Sequence, residues 1–278
     1  MKYLLSCESF YFVFSFMTME IDGYYTIDLN AKSNDLYEKI RHDLITFDYV
    51  KIKCENISAA NYETVCLNII ENIGGIGCPY GKDPNGLVWS VKVVALDTDP
   101  ESIHLPGTNV DRELHLHTDC SFERDAPDYI GLFVIEPDRS EHGGKFQLVR
   151  TGEILSRLSS TTKQLLHDET YKFIVRSAYQ KNGKDSIWLP ILLNNERMRY
   201  QPDLIDRQQL NNETIEKQNA IKDLNSVIFN EEKLNIFRPK LESGMMVLFN
   251  NHRFLHGRTK IQDINRHLLR LRFNLKKY

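Results

Sequence analysis

Near the C-terminus the run HLLRLRFNL, His267 to Leu275, sets Leu269, Leu271 and Phe273 on one parity and Arg270 and Arg272 on the other. Arg266, just ahead, shares the parity of the two arginines. Alternate side chains of an extended segment point to opposite faces, so this run reads as a strand with an apolar face and a cationic face. The apolar face has to be buried against a core. The cationic face either meets solvent or faces inward, and an inward guanidinium needs an anionic partner because an unpaired buried charge is costly. An anionic ligand inside a barrel would explain the arginines, since guanidinium grips carboxylate bidentately. Four residues of strand span about 13 Å at roughly 3.3 Å each. That is too far for Arg266 and Arg270 to hold one short carboxylate, and it suits two anions on either side of a metal.

The rest of the chain supplies a β-rich frame for such a strand. GYYTIDL reads as a first strand, and SNDLYEKIRHDLITFDYVKIKC as an amphipathic helix turning into a strand. SAANYETVCLNIIENIGG reads as a helix with an N-cap serine and a glycine stop. Strands are expected at LVWSVKVVAL, around LHLHT, at YIGLFVIEP, at GKFQLVR, at YKFIVRS and at MMVLFNN, with a helix at SSTTKQLLHDET. The polar stretch from Pro202 to about Lys233 reads either as a surface helix with flanking loops or as a lid or insert over a pocket, around 202–235. Short strands with a few helices give an α+β fold, mainly β: a double-stranded β-helix, or jelly roll, with flanking helices. No repeat or linker divides the chain, so residues 19–278 form one domain. Residues 1–18 read as a dispensable extension ahead of Met17 or Met19, or as an added edge strand. Glu8 interrupts their apolar run and no small-residue cleavage site follows, which argues against a secretory signal.

Composition narrows the partners. With 35 basic and 38 acidic residues the net charge is −3, so no electrostatic footprint for nucleic acid or an anionic membrane exists. Five dispersed cysteines without C-x-x-C spacing read as reduced thiols of a cytoplasmic protein. A small molecule is the expected partner, with a homo-oligomer left open.

The metal suggested by the arginines has candidate ligands in HLHTDCSF, where His115, His117 and Asp119 fall at every second position. H-x-D alone is a short, common pattern. His256, in NNHRFLHGRTK, lies 256 − 119 = 137 residues after Asp119, beside a glycine and after an apolar strand. Two imidazoles and one carboxylate form a facial triad that leaves three octahedral positions open, and this donor set suits Fe(II).

With LHTDCSF, PDYIGLFVIEPD followed by GGKFQLV, GMMVLFNNHRFLHGRT and RHLLR in this order, the chain resembles the taurine dioxygenase/clavaminate synthase-like superfamily. Members of that superfamily are Fe(II)- and 2-oxoglutarate-dependent oxygenases. The resemblance implies a jelly-roll oxygenase in which His117, Asp119 and His256 bind Fe(II) and Arg266 takes the distal carboxylate of 2-oxoglutarate. It further implies O2 as cosubstrate and a substrate carboxylate, or another anionic group, at Arg270. That points to a small carboxylate-bearing substrate, an amino acid or its derivative first, hydroxylated or desaturated at an unactivated C–H bond. Cys120 and Phe122, just after the ligands, would line the substrate side, with ordinary packing as the alternative. His115 is second shell at best. The chain departs from the family pattern in three places. Phe146 stands where a threonine or serine usually helps hold 2-oxoglutarate after Gly143 and Gly144. Asn250 replaces an acidic residue ahead of the distal histidine. His256 and Arg266 are only ten residues apart. Phe146 favours a rival reading, a jelly roll that binds a ligand without catalysis. A zinc hydrolase on the same triad would have no use for Arg266.

Overall fold

The computed structural model describes residues 24–28, 34–58, 61–80, 85–93, 111–180, 183–194 and 196–277. The expected 1–18 extension lies outside them.

In chain order the elements begin with β1 (Tyr25–Asp28), α1 (Asn34–Phe47), β2 (Tyr49–Glu55), α2 (Tyr62–Asn72), β3 (Gly75–Gly77) and β4 (Val88–Lys92). There follow β5 (Leu114–His117), β6 (Tyr129–Glu136), β7 (Phe146–Arg150), α3 (Thr151–Ser156), α4 (Ser160–Asp168), β8 (Tyr171–Ile174) and β9 (Ser186–Leu189). The chain closes with α5 (Arg207–Leu210), α6 (Ile215–Ile228), β10 (Met245–Asn250), β11 (Phe254–Arg258) and β12 (His267–Leu275). None of the helices among the described residues is long and apolar enough to cross a membrane.

The larger sheet runs β1-β2-β10-β6-β12-β3, with β4 also on β12; a smaller sheet runs β5-β11-β7, and β8-β9 make a hairpin. Apart from the parallel β1–β2 pair, all pairings are antiparallel. This is the expected mainly-β jelly roll, and alternation explains its layering. All six residues of β10 are buried. Met246 and Leu248 face outward and pack with Leu269, Leu271 and Phe273 of β12 under α1 (Ile40, Leu44) and α2 (Val65, Ile69, Ile70). Val247 and Phe249 face inward and meet Leu148 and Phe254 of the smaller sheet. The far side of the smaller sheet (Leu116, Val149, Leu255) is covered by α3, α4 and α6. Two sheets enclosed by helices on both outer faces leave the space between the sheets as the most sheltered place for polar chemistry.

The structure corrects several boundaries. The cap of α2 is Asn61, without a side-chain cap bond, and the expected serine cap, Ser58, only offers its carbonyl to the Asn61 amide (2.9 Å). Gly74, at φ 76°, does stop the helix, in a left-handed conformation that glycine adopts without steric cost. Within LVWSVKVVAL the described strand is Val88–Lys92. In the 202–235 stretch, α6 buries Ala220, Ile221, Leu224 and Ile228 in the core beside α4. The short elements α3, β3, β9 and β11 have no counterpart in the sequence pattern.

Candidate metal centre

The site begins with a register. His117 ends β5 and is the direct antiparallel partner of His256 in the middle of β11. Paired residues project to the same face with Cβ atoms about 5 Å apart, and the two imidazole centroids lie 4.3 Å apart. Thus His256 does not follow an apolar strand, as its sequence context suggests; it lies inside a strand of its own. Asp119 comes two residues after His117, past the end of β5, and its Oδ1 lies 3.6 Å from His117 Nε2 and 3.8 Å from His256 Nε2. Among the described residues these three are the only group of histidine, cysteine, aspartate or glutamate side chains able to hold a metal; their ligand atoms fall within 4.8 Å of one another and all are buried.

The donor set suits an ion. Nitrogen and oxygen ligands lie about 2.1 Å from a first-row dication, so ligand atoms sharing one ion sit about 3–4 Å apart. His117 Nδ1 donates to the His115 carbonyl (2.7 Å), which leaves the Nε2 lone pair of the neutral ring toward Asp119. His115 therefore serves through its backbone, while its own exposed ring packs on Phe229. His256 Nδ1 is buried and has no hydrogen-bond partner among the described residues. Burial pushes this imidazole down to about 3, so it stays neutral at physiological pH. Asp119 is shifted the other way from what burial alone would give. Its low-dielectric setting favours the acid, but the Arg270 guanidinium together with His117 and His256 outweighs this and holds the carboxyl well below the usual range.

A residue that the sequence pattern missed fixes the carboxylate ligand. Asn251 is fully buried; its Oδ1 accepts from the Asp119 amide (2.8 Å), and its Nδ2 donates to the Asp119 carbonyl (2.9 Å) and to that of Pro127 (3.1 Å). The signal was a second polar residue, Asn251, next to the apolar end of β10, where a buried amide must find partners. Thr118 is tied likewise, its amide to the Tyr200 carbonyl (2.7 Å) and its Oγ1 to the Tyr200 amide (2.9 Å). The carboxylate absent at Asn250 is supplied by Asp48 from the α1–β2 turn, whose Oδ1 accepts from Asn250 Nδ2 (3.0 Å).

The arginines separate into three roles. Arg266 lies one residue ahead of β12, in a turn closed by its amide on the Asp263 carbonyl (3.1 Å), and so outside the strand whose parity it seemed to share. Its guanidinium is buried, and no hydrogen bond or ion pair to it exists among the described residues. Burial pushes it down to about 10, partly offset by Asp138. The close approach of Gly144 explains the paired glycines: at φ 58°, a Cβ there would come within 2.7 Å of Asp138 Cβ and 3.2 Å of Arg266 Cδ. Arg270 is instead paired within the protein, Nη1 to Asp119 Oδ1 (3.2 Å) and Nε to the Tyr80 hydroxyl (3.2 Å). Arg272 is braced by Glu123 (2.9 Å) and the carbonyls of Cys78 (3.1 Å) and Pro79. Cys120, at φ 58°, offers its Sγ to Arg272 (3.1 Å), and burial pushes the thiol up to about 12, so it is an inert packing group. Phe122 packs in the core against Tyr179, with ring centroids 5.2 Å apart. The Phe146 ring lies between the sheets, 5.7 Å from Phe249 and 6.2 Å from His256, an apolar wall in the position of the family's usual hydroxyl.

Comparisons with known proteins agree with this geometry. No curated protein matches the sequence. Among solved structures, an asparagine oxygenase in complex with Fe(II), 2S,3S-3-hydroxyasparagine and succinate superposes with a TM-score of 0.67 at 16% identity, over 86% of this chain and 81% of that one. The non-haem iron oxygenase OrfP in complex with Fe and alpha-ketoglutaric acid gives 0.63 at 16% identity, over 86% and 80%. At such identities the likeness speaks for the jelly-roll fold. Residues 63–272, which contain His117, Asp119 and His256, match the family described as taurine catabolism dioxygenase TauD, TfdA family. The chain belongs to the TauD, TfdA family of dioxygenases.

Proposed function

We propose that this dioxygenase uses Fe(II) and 2-oxoglutarate to oxidise an unactivated C–H bond of a small carboxylate-bearing substrate, an amino acid or amino-acid derivative. The observation that carries the proposal is the convergence of His117, Asp119 and His256 in one buried cluster between the sheets. His117 and His256 would hold the iron through Nε2, and Asp119 through Oδ1. Bound there, iron and 2-oxoglutarate would supply the chemistry with O2 as the oxidant, one oxygen atom ending in succinate as carbon dioxide is lost and the other in the hydroxylated product, or in water on desaturation.

The chain contributes placement. The His115 carbonyl and Asn251 hold two ligands in position before any metal arrives, so little reorganisation is needed on binding. Arg266 is the anchor for the distal carboxylate of 2-oxoglutarate, being a buried guanidinium with no partner among the described residues. Phe146, Phe249 and Leu132 keep the inner face apolar and exclude water that would quench the oxidation. The substrate class is supported by the structural neighbours: the asparagine oxygenase is bound to 3-hydroxyasparagine, and OrfP to (3S)-hydroxy-L-Arg in a complex with Fe and succinate.

Metal-free protein reconstituted with Fe(II) and 2-oxoglutarate should form succinate in the presence of one or more members of an L-amino-acid panel, with an oxidised amino acid in matching amount. Alanine variants of His117, Asp119 and His256 should lose both products. Succinate formed by any of those variants at the wild-type rate would overturn the metal assignment. A panel that gives no stimulation while the iron site fills normally would overturn the substrate class alone.

A further inference from the structure

Asp119 Oδ1 is approached by three side chains. His117 Nε2 lies at 3.6 Å and His256 Nε2 at 3.8 Å. Arg270 Nη1 lies at 3.2 Å. The guanidinium is not free to drift away. Its Nε donates to the Tyr80 hydroxyl, that hydroxyl donates to the Arg270 carbonyl (3.2 Å), and the guanidinium sits 5.3 Å above the Tyr80 ring. Arg270 and Asp119 are each at most 8% exposed. Without a metal, the guanidinium at 3.2 Å is the cation paired with the buried Asp119 carboxylate. With a metal on Oδ1, the ion would lie no more than about 5 Å from Nη1, the sum of a 2.1 Å ligand bond and the hydrogen bond. A dication and a guanidinium that close, poorly screened between two sheets, repel strongly.

We infer that Arg270 is a built-in competitor for the metal at Asp119, so the protein gives up metal affinity to keep its metal-free site charge-balanced. The inference rests on the metal centre proposed above and extends it. One ligand atom serves two cations, and the second belongs to the protein. An anionic substrate group that takes up the guanidinium relieves this competition, which by linkage makes substrate and metal strengthen each other's binding.

Co(II) titration of metal-free protein, followed by the visible absorption of the bound ion, tests the inference without turnover. Arg270→Gln removes the charge and should tighten Co(II) binding about tenfold. Arg270→Lys keeps the charge and should stay within threefold of wild type. Tightening of under threefold in the Gln variant, weaker binding, or equal tightening in the Lys variant overturns the inference. If the Gln variant fails to fold, Arg270→Met, neutral and of similar bulk, takes its place in the titration. Independently, Asp119→Ala in chelator should melt below wild type, because it strands a buried guanidinium; an unchanged or raised melting temperature means that no such pair exists. His256→Ala identifies the other failure. If it binds Co(II) as wild type does, the metal centre itself is misassigned, whereas loss of binding there with no change in Arg270→Gln removes only the competition.

Discussion

Arg266 and Arg272 look interchangeable in the sequence, six residues apart and of equal parity, yet they have opposite surroundings. Arg272 spends its donors on Glu123, Cys78 and Pro79, so it holds the segment after the metal ligands to the larger sheet. Arg266 has no hydrogen-bond acceptor among the described residues, and desolvation pushes its guanidinium down against a smaller opposing pull from Asp138. A residue held at that cost is explained by a ligand that brings the missing anion. Arg266→Ala should therefore raise the 2-oxoglutarate concentration needed for half-maximal succinate formation. Losing one partner of a buried charge pair costs about 2–5 kcal/mol, and at 1.4 kcal/mol per tenfold that is roughly 30-fold or more. A requirement within threefold of wild type would show that another group anchors the cosubstrate. Parity identified these arginines as a set with a shared purpose, and it could go no further. What separates them is supplied by Asp119, Tyr80 and Glu123, more than a hundred residues away in sequence, and no local pattern encodes such contacts.

At the scale of elements, the proposed metal centre depends on two strands lying in one register. His117 and His256 share a face because β5 and β11 pair antiparallel at those two residues, and the pairing shifts between His256 and Arg258. Gly257 allows the close approach at that irregularity: a Cβ there would come within 2.6 Å of the Leu114 carbonyl oxygen and 3.2 Å of the Leu116 amide nitrogen, both backbone atoms that have nowhere to go. Gly257→Ala should push β5 away from β11 and separate the two imidazoles. Expected is a loss of Co(II) affinity of tenfold or more in a protein whose far-ultraviolet circular dichroism is unchanged; wild-type affinity would mean that the β5–β11 contact does not set the ligand spacing. The strand itself was invisible in the sequence because FLHGR breaks every local rule for one, with an imidazole, a glycine and an arginine in five residues. It is a strand because its neighbours supply both ladders, β5 on one side and β7 on the other. By contrast, β6 and β10 were legible from apolar runs, since both of their faces are covered, and β12 from the alternation of its apolar residues with its arginines. The 202–235 stretch was ambiguous for a related reason. Its polar composition describes the outer side of α6, while Leu224 and Ile228 dock it onto α4.

For the whole molecule, covering both sheets with helices has an electrostatic consequence: histidines that join the sheets are sealed away from water. His256 is one, and His252, in the turn between β10 and β11, is another. Burial pushes the His252 imidazole below its ordinary value, with nearby Arg197 pushing the same way and Asp128 opposing. A histidine whose folded pKa is depressed binds fewer protons when folded than when unfolded. Its stabilising contribution is thus complete above the unfolded value of about 6.5 and is lost as pH falls from there toward the folded value. Asp48 acts in the opposite sense, since burial raises its carboxyl despite Arg253 and Arg150, so the whole-protein curve mixes signs. A difference measurement isolates the histidine. His252→Gln keeps a polar group of similar reach without a proton to gain. In chelator, the melting temperature of wild type relative to His252→Gln should decline steadily as the pH is lowered from 7.5 to 5. A gap that stays constant across this range would mean that His252 titrates as it would in water. The enclosure of the space between the sheets, on which the dryness of the proposed iron site depends, would then be looser than the packing of β10 and β11 implies.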